Sequence, residues 1–299
     1  MSLANLSINL SINLATVRPQ YSLAQAVDAC LAQGITAIAP WRDQVQATGL
    51  AEAAQIVRSN NMRVTGLCRG GGFPAMDQVG LASAIEDNLR AVDEASALNA
   101  DCLVIVAGGL PTGSRDIVAA RQMVADGLAA VLPHARASHM PLAIEPLHPM
   151  YAADRCCINT LSHALDLCDQ LGDGVGVVVD AYHVWWDPAL DTQIARAGKR
   201  ILAHHICDWL VPTRDLLLDR GMMGDGVIDL QSIRRAVVQA GFEGPQEVEI
   251  FSSENWWKRP GEEVLQVCIE RFDCLQRAQP EPYREKWKAG VATRASSNE

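Results

Sequence analysis

Four short apolar runs in the second half of the chain each end on a residue able to bind a cation or move a proton. They are Glu145 in Ile144-Glu145-Pro146-Leu147-His148, Asp180 in Asp180-Ala181-Tyr182-His183, His205 in His204-His205-Ile206-Cys207-Asp208-Trp209, and Glu249 in Val248-Glu249-Ile250-Phe251. Three carboxylates and an imidazole brought to one place repel one another and raise the carboxylate pKa values. A bound divalent cation resolves that conflict. Oxygen-rich ligation with one histidine suits Mn²⁺ first, then Mg²⁺, Co²⁺ or Zn²⁺. Each residue alone has an ordinary reading: a strand-end aspartate caps a turn, and a lone histidine sits satisfied in a core. Their recurrence at four consecutive run ends is what points to a metal.

Two choices stay open on the residues alone. His204 and His205 are adjacent, so in a strand they face opposite sides and only one reaches a shared site. Glu247 and Glu249 share a face at different depths. Glu249 lies nearer the C-terminal end and is preferred; a Glu247 buried in the interior requires a partner.

Stepping through the chain, β-rich runs at 6–17, 35–39, 62–68, 101–106, 141–145, 174–179, 201–207 and 247–251 alternate with amphipathic stretches at 22–32, 50–60, 81–98, 115–137, 160–171, 191–197, 230–240 and 261–277. Several runs, such as Leu103-Val104-Ile105-Val106, are apolar on both faces, as parallel strands covered on two sides require. Strict alternation allows an open doubly wound sheet or a closed barrel. The first run leads into Ala15-Thr16-Val17-Arg18-Pro19, without the glycines of a dinucleotide-binding turn. The expectation is an α/β fold, a (β/α)8 TIM barrel. It forms a single domain over 1–278, with a short polar C-terminal tail at 279–299. In such a barrel all functional side chains gather at the C-terminal ends of the strands. The first four ends read Asn13, Pro40-Trp41-Arg42, Cys68-Arg69 and Ala107-Gly108-Gly109, with no Asp, Glu or His among them.

Composition narrows the partners. Lys plus Arg is 25 against 35 for Asp plus Glu, so the mean field at a net charge of −10 repels polyanions, and no nucleic-acid partner is expected. No apolar run reaches the ~20 residues of a membrane span, and the polar, non-basic start from Met1 to Val17 does not read as a signal peptide. Nine scattered cysteines without a CxxC pair fit a reducing, cytoplasmic compartment.

Around the four ends stand further candidates. His148, three residues past Glu145, is a competent base near neutral pH; as a loop histidine it instead bonds backbone. Arg42, Arg69 and the Gly70-Gly71-Gly72 loop face the same mouth, for hydroxyl or carboxylate recognition or as a solvated turn. Gly108-Gly109-Leu110-Pro111-Thr112-Gly113 lacks a phosphate-loop lysine, so phosphate is not demanded. Trp41, Trp185, Trp186, Trp209, Trp256 and Trp257 all follow strand ends, where aromatic faces suit the C–H surface of sugars. Trp186 and Trp209 are taken as substrate contacts; packing of the rim, or contact within a homo-oligomer, is the alternative. The long stretch 211–225 is either a lid or a contact between copies. Asp208 supports a ligand or touches substrate.

Glu145-Pro146-Leu147, Asp180-x-x-His183, His205-x-x-Asp208, Gly224-Asp225-Gly226-x-Ile228-Asp229 and Glu249-Ile250-Phe251 together resemble the xylose isomerase-like TIM-barrel superfamily. That group holds sugar isomerases and epimerases, among them ketose 3-epimerases and inosose isomerases, with dehydratases and an endonuclease IV branch. The resemblance implies Glu145, Asp180, His205 and Glu249 as ligands of one divalent metal ion, His205 being favoured over His204 by its spacing to Asp208. It implies His183 as a substrate contact, and Glu145 and Glu249 as the acid–base pair. The extra histidines of the three-metal nuclease branch are missing at Trp41, Arg69 and Gly108. The implied activity is isomerisation or epimerisation of a keto-sugar or keto-polyol through a metal-stabilised enediolate. The alternative is β-elimination from a 3-keto-glycoside or inosose, with His148 as base.

Overall fold

A computed structural model describes residues 9–277. The tail expected at 279–299 and the start of the first run, 6–8, lie outside the described residues. Nine parallel strands form one sheet: β1 (Leu10–Asn13), β2 (Ala37–Ala39), β3 (Arg63–Val64), β4 (Leu67–Gly71), β5 (Leu103–Val106), β6 (Leu142–Ile144), β7 (Val175–Asp180), β8 (Ile201–Ile206) and, after a small hairpin, β11 (Gln246–Val248). Their order is β3-β2-β1-β11-β8-β7-β6-β5-β4, so β3 and β4 stand at the two ends of the sheet although only Thr65-Gly66 separates them. They are one stave of a barrel, bent at that dipeptide, and the sheet closes as a TIM barrel. The hairpin pairs β9 (Asp208–Trp209) with β10 (Arg220–Gly221).

The helices form an outer ring: α1 (Leu23–Ala32), α2 (Arg42–Thr48), α3 (Leu50–Ser59), α4 (Gln78–Ala97), α5 (Ile117–Ala137), α6 (Leu161–Leu171), α7 (Ala181–Val184), α8 (Leu190–Ala197), α9 (Leu230–Gln239) and α10 (Gly261–Arg277). Their starts follow from side-chain caps. Ser22 forms a capping box with Gln25, and Asp77, Asp116, Thr160 and Asp229 each accept a hydrogen bond from the first helical turn. The second connection, expected as one helix over 50–60, is two helices broken at Gly49, whose φ of +90° suits glycine.

Two apolar layers hold the fold. The larger lies between the strands and the helix ring and includes Ile12, Ile38, Leu103, Ile105, Ile144, Val177, Val179 and Ile206. The smaller fills the barrel lumen with Cys68, Cys102, Val104, Ala143, Val178 and Ala203. Side chains alternate along a strand, so the residue two places beyond a lumen residue also faces the lumen, one layer nearer the mouth. Ala143 leads to Glu145, Val178 to Asp180, and Ala203 to His205. The polar ring is therefore built by the same period that builds the core beneath it. All nine cysteines are free, and all but Cys274 are buried. Among the described residues no helix is long and apolar enough to cross a membrane.

Candidate metal centre and cavity

Glu145, Asp180, His205 and Glu249 are buried at the mouth of the barrel, and one ligating atom from each lies within 4.8 Å of the others. Glu145 Oε1 and His205 Nδ1 are buried 3.0 Å apart, and among the described residues neither has a closer partner than the other. Without an ion the two share a proton, and a cation that displaced it would engage both atoms at once. Three oxygens and one nitrogen fit Mn²⁺, Zn²⁺ or a similar ion. The donor set therefore fits a divalent metal.

Burial, together with the neighbouring carboxylates and against the pull of Arg220, pushes Glu249 up to about 8. Burial likewise pushes Asp180 up to about 6, with Arg220 opposing and Glu145 assisting. Burial disfavours a charged His205, but Glu247, Glu145 and Glu249 outweigh it and raise the imidazole well above its ordinary value. Such crowding is what a dication relieves.

The geometry separates the residues of the two open choices. His204 points away from the lumen with Nδ1 2.8 Å from the Val179 carbonyl, while His205 points in. Glu247 lies one layer below Glu249 and has the partners its burial requires. Asn13 Nδ2 donates to its Oε1 at 2.7 Å, Thr65 Oγ1 donates to its Oε2 at 2.8 Å, and His205 Nε2 stands 3.3 Å from Oε1. A carboxylate behind a ligating imidazole orients the ring.

His183 reaches the cavity. Its Nε2 is 3.6 Å from Asp180 Oδ2 and 3.2 Å from Arg220 Nη2, and its Nδ1 accepts from the His148 backbone N–H. Burial, reinforced by Arg220, lowers its pKa far below 6.5, so the ring is neutral. Arg69 also lines the cavity, beside Glu145.

The other expected contacts need correction. Arg42 stands on the wall of the outer cavity, but its guanidinium is occupied by Asp87 at 2.7 Å and Glu94 at 2.6 Å, tying α2 to α4. Asp208 accepts from the backbone N–H groups of Trp209, Gly224 and Ile228, so it pins the hairpin base and has no freedom to meet a substrate. Gly226 belongs to the same knot, since a Cβ there would sit 2.2 Å from the Trp209 carbonyl oxygen. Trp186 donates its indole N–H to the His183 carbonyl, and Trp209 is buried against Tyr182 at 4.7 Å between ring centroids. Neither lines the cavities. His148 lies against both, at 4.9 Å from Trp209 and 5.9 Å from Trp186, and its Nδ1 accepts from the Met150 N–H. A neutral ring so bonded keeps its proton on Nε2, and the lone pair a base needs is spent.

An inner chamber of about 30 Å³ is walled by Glu145, Glu249, His183, Arg220, Arg69 and Tyr151, among others. It shares Trp41, Arg69, Arg155, Leu217 and Phe251 with an outer cavity of about 430 Å³, which also meets Trp257. The stretch 211–219 lies over this mouth through Leu217 and Leu218, held by the Arg214–Asp219 ion pair and by Tyr182, whose hydroxyl donates to the Leu216 carbonyl at 2.8 Å.

Three polar residues at the site escaped sequence reasoning. Arg220 is buried, donates to Glu249 Oε2 at 2.9 Å, and lies 4.3 Å over the Tyr182 ring. Asn13 donates to both Glu247 and Glu249 and accepts from the Trp41 indole at 2.7 Å. Arg155 comes from the turn after Tyr151. Asn13 carried a signal as the first strand's end, and Arg220 lay in the stretch 211–225 read as a lid or a contact between copies.

A family model described as the xylose isomerase-like TIM barrel matches residues 27–270. The inosose isomerase of Bacillus velezensis is 30% identical over 129 residues, which is 40% of this chain and 44% of that protein. The chain thus aligns with less than half the length of this curated relative. Among solved structures, protein SMc04130 from Sinorhizobium meliloti 1021 is 69% identical, covering 89% of this chain and 97% of that one at a TM-score of 0.88. The IolI protein, solved with a zinc atom bound, covers 89% of this chain and 97% of its own at 22% identity and a TM-score of 0.78; that likeness is one of fold.

Proposed function

Because the chain belongs to the xylose isomerase-like TIM-barrel family, we propose that it is a divalent-metal-dependent isomerase or epimerase of a keto-sugar or keto-polyol, inososes included. The observation that carries the reading is the convergence of Glu145, Asp180, His205 and Glu249, with two of their buried atoms lacking any other partner. These four would hold the ion, and a dication there supplies Lewis acidity that polarises a substrate carbonyl and acidifies the neighbouring C–H.

The chain's own groups do the rest. Glu145 and Glu249 stand on two staves of the mouth, and one takes a proton from carbon while the other returns one. Among the described residues the Glu145 carboxylate is met by His205 Nδ1 at 3.0 Å, a contact that a bound ion would replace. Glu249 is fixed by Arg220 and Asn13. Neutral His183 offers an imidazole to a substrate hydroxyl, and Arg220 supplies positive charge beside the reacting oxygens. Trp41 and Phe251 give apolar faces. Elimination would call on His148 as base, and nothing in its surroundings favours that role.

The test is proton exchange. Protein stripped by chelator and reloaded with Mn²⁺ should incorporate deuterium from D₂O into the carbon beside the carbonyl in a panel of ketoses and inososes. Chelation should abolish the signal. Stoichiometric metal with no exchange across the panel would overturn the reading.

A further inference from the structure

The arginines around the cavity fall into two kinds. Arg18 is paired with Asp43, Arg42 with Asp87 and Glu94, and Arg220 with Glu249. Arg69 and Arg155 line both the inner chamber and the outer cavity, and neither has a carboxylate within ion-pairing distance among the described residues. Arg155 leans on the Tyr151 ring at 5.5 Å. Both guanidinium groups open on the same two cavities, and Arg69 keeps an exposed face there. In a chain with 35 acidic residues against 25 basic ones, two unmatched guanidinium groups in one cavity stand out. Like charges held together cost free energy unless something of opposite sign arrives.

The backbone under Arg69 is built to hold it. Buried Asn88 accepts from the Gly71 N–H at 2.6 Å and donates to the Gly71 carbonyl at 2.8 Å. Gly71 has a φ of +108°, and a Cβ there would lie 1.9 Å from the Val106 carbonyl oxygen, so strand β4 is seated tightly against β5. A planar guanidinium on a fixed backbone is the geometry that recognises carboxylate or phosphate through paired hydrogen bonds.

We propose that Arg69 and Arg155 form an anion subsite, and that the substrate is a keto-sugar or keto-polyol bearing a terminal anionic group, a carboxylate or a phosphate. The inference rests on the isomerase reading for where the carbonyl end lies: Arg69 and Arg155 wall the same chamber as Glu145 and Glu249, so the charged end points outward into the roomier cavity.

The experiment has two arms. In the first, Mn²⁺-loaded protein is titrated calorimetrically with three non-reacting polyols, sorbitol, sorbitol 6-phosphate and gluconate, which needs no turnover. At least one anion should bind on the order of 10²-fold more tightly than sorbitol, and whichever does identifies the source of the charge. Arg69→Gln and Arg155→Gln should each remove most of that preference, with Arg69→Lys retaining part of it. Equal binding of all three, binding of none at millimolar concentration, or a preference untouched by both Gln variants, as an anion seated on the metal would give, overturns the subsite. The second arm compares deuterium exchange into fructose, fructose 6-phosphate and a keto-hexuronate. Exchange without preference for the charged members sinks the subsite and leaves the isomerase reading intact. Anion binding that depends on the arginines, with no exchange anywhere, sinks the isomerase reading and leaves the subsite.

Discussion

The two halves of the barrel mouth are built from opposite chemistry. The staves ending at Glu145, Asp180, His205 and Glu249 form one arc of anionic and imidazole donors. The staves ending at Asn13, Trp41, Arg69 and Gly108 form the facing arc, with an amide, an indole, a guanidinium and bare backbone. Several contacts stitch them: Asn13 reaches across to Glu247 and Glu249, Thr65 donates to Glu247, and Trp41 stands edge-on to Phe251 at 5.6 Å between ring centroids. The difference teaches a division of labour. An arc that must grip a cation has little latitude in residue type, whereas the arc opposite it is free to be shaped around whatever the cation activates.

That contrast can be broken most sharply at the cation arc. Glu145→Gln and Glu249→Gln should each lower kcat by about 10⁴-fold if each moves a proton, with circular dichroism and cooperative melting retained. Turnover within tenfold of the parent in either would remove that residue from the proton relay. At the seam, Asn13→Ala strips a donor from two buried carboxylates and an acceptor from the Trp41 indole. A loss of about 10- to 100-fold in kcat/KM is expected, from a cost of about 1–3 kcal/mol per orphaned group. If kcat/KM holds while the melting temperature falls, Asn13 is a structural strut alone.

Stability of the chelated protein reports the same arc by pH. Folding holds protons on Asp180 up to about 6 and on Glu249 up to about 8, well above their ordinary values. The folded state then binds more protons than the unfolded one. The resulting stabilisation is complete below the ordinary carboxylate range and is lost as pH rises through about 6 and then about 8. Melting scans of metal-free protein should therefore fall across that window, and added Mn²⁺ should restore the most at its upper end. A flat metal-free profile would mean the carboxylates are not crowded.

Smaller effects mark residues whose side chains are already occupied by other parts of the protein. Arg42→Met should cost about 1–3 kcal/mol in a urea titration by releasing Asp87 and Glu94, with kcat/KM within about threefold of the parent. His148→Ala should change kcat by less than about threefold, because its Nδ1 is spent on Met150. A 10²-fold loss would return it to the chemistry and reopen elimination.

Much of this was legible in the chain. Alternation of runs announced the barrel, and the recurrence of Glu145, Asp180, His205 and Glu249 at four consecutive run ends pointed to the cation arc. Residues on irregular backbone were not legible. Arg220 acts at the site because the hairpin of β9 and β10 folds it back, and Arg155 arrives on a turn between β6 and α6. Neither position follows from a period. Asp208, read as supporting a ligand or touching substrate, and Trp209, read as a substrate contact or rim packing, follow a strand, but the hairpin uses one to tie its base and buries the other.

That hairpin base has a consequence of its own. Asp208 anchors one end of the segment, and Arg220 the other, through its pairing with Trp209 and its N–H to the Phe251 carbonyl at 2.9 Å. The eleven residues between are a tip sprung from two fixed posts. Changing the length of such a tip costs only a slowly growing closure entropy. The barrel therefore carries an exchangeable visor: a graft of different size or charge between the posts would alter which molecules gain admission, without disturbing the guanidinium or the four donors beneath it.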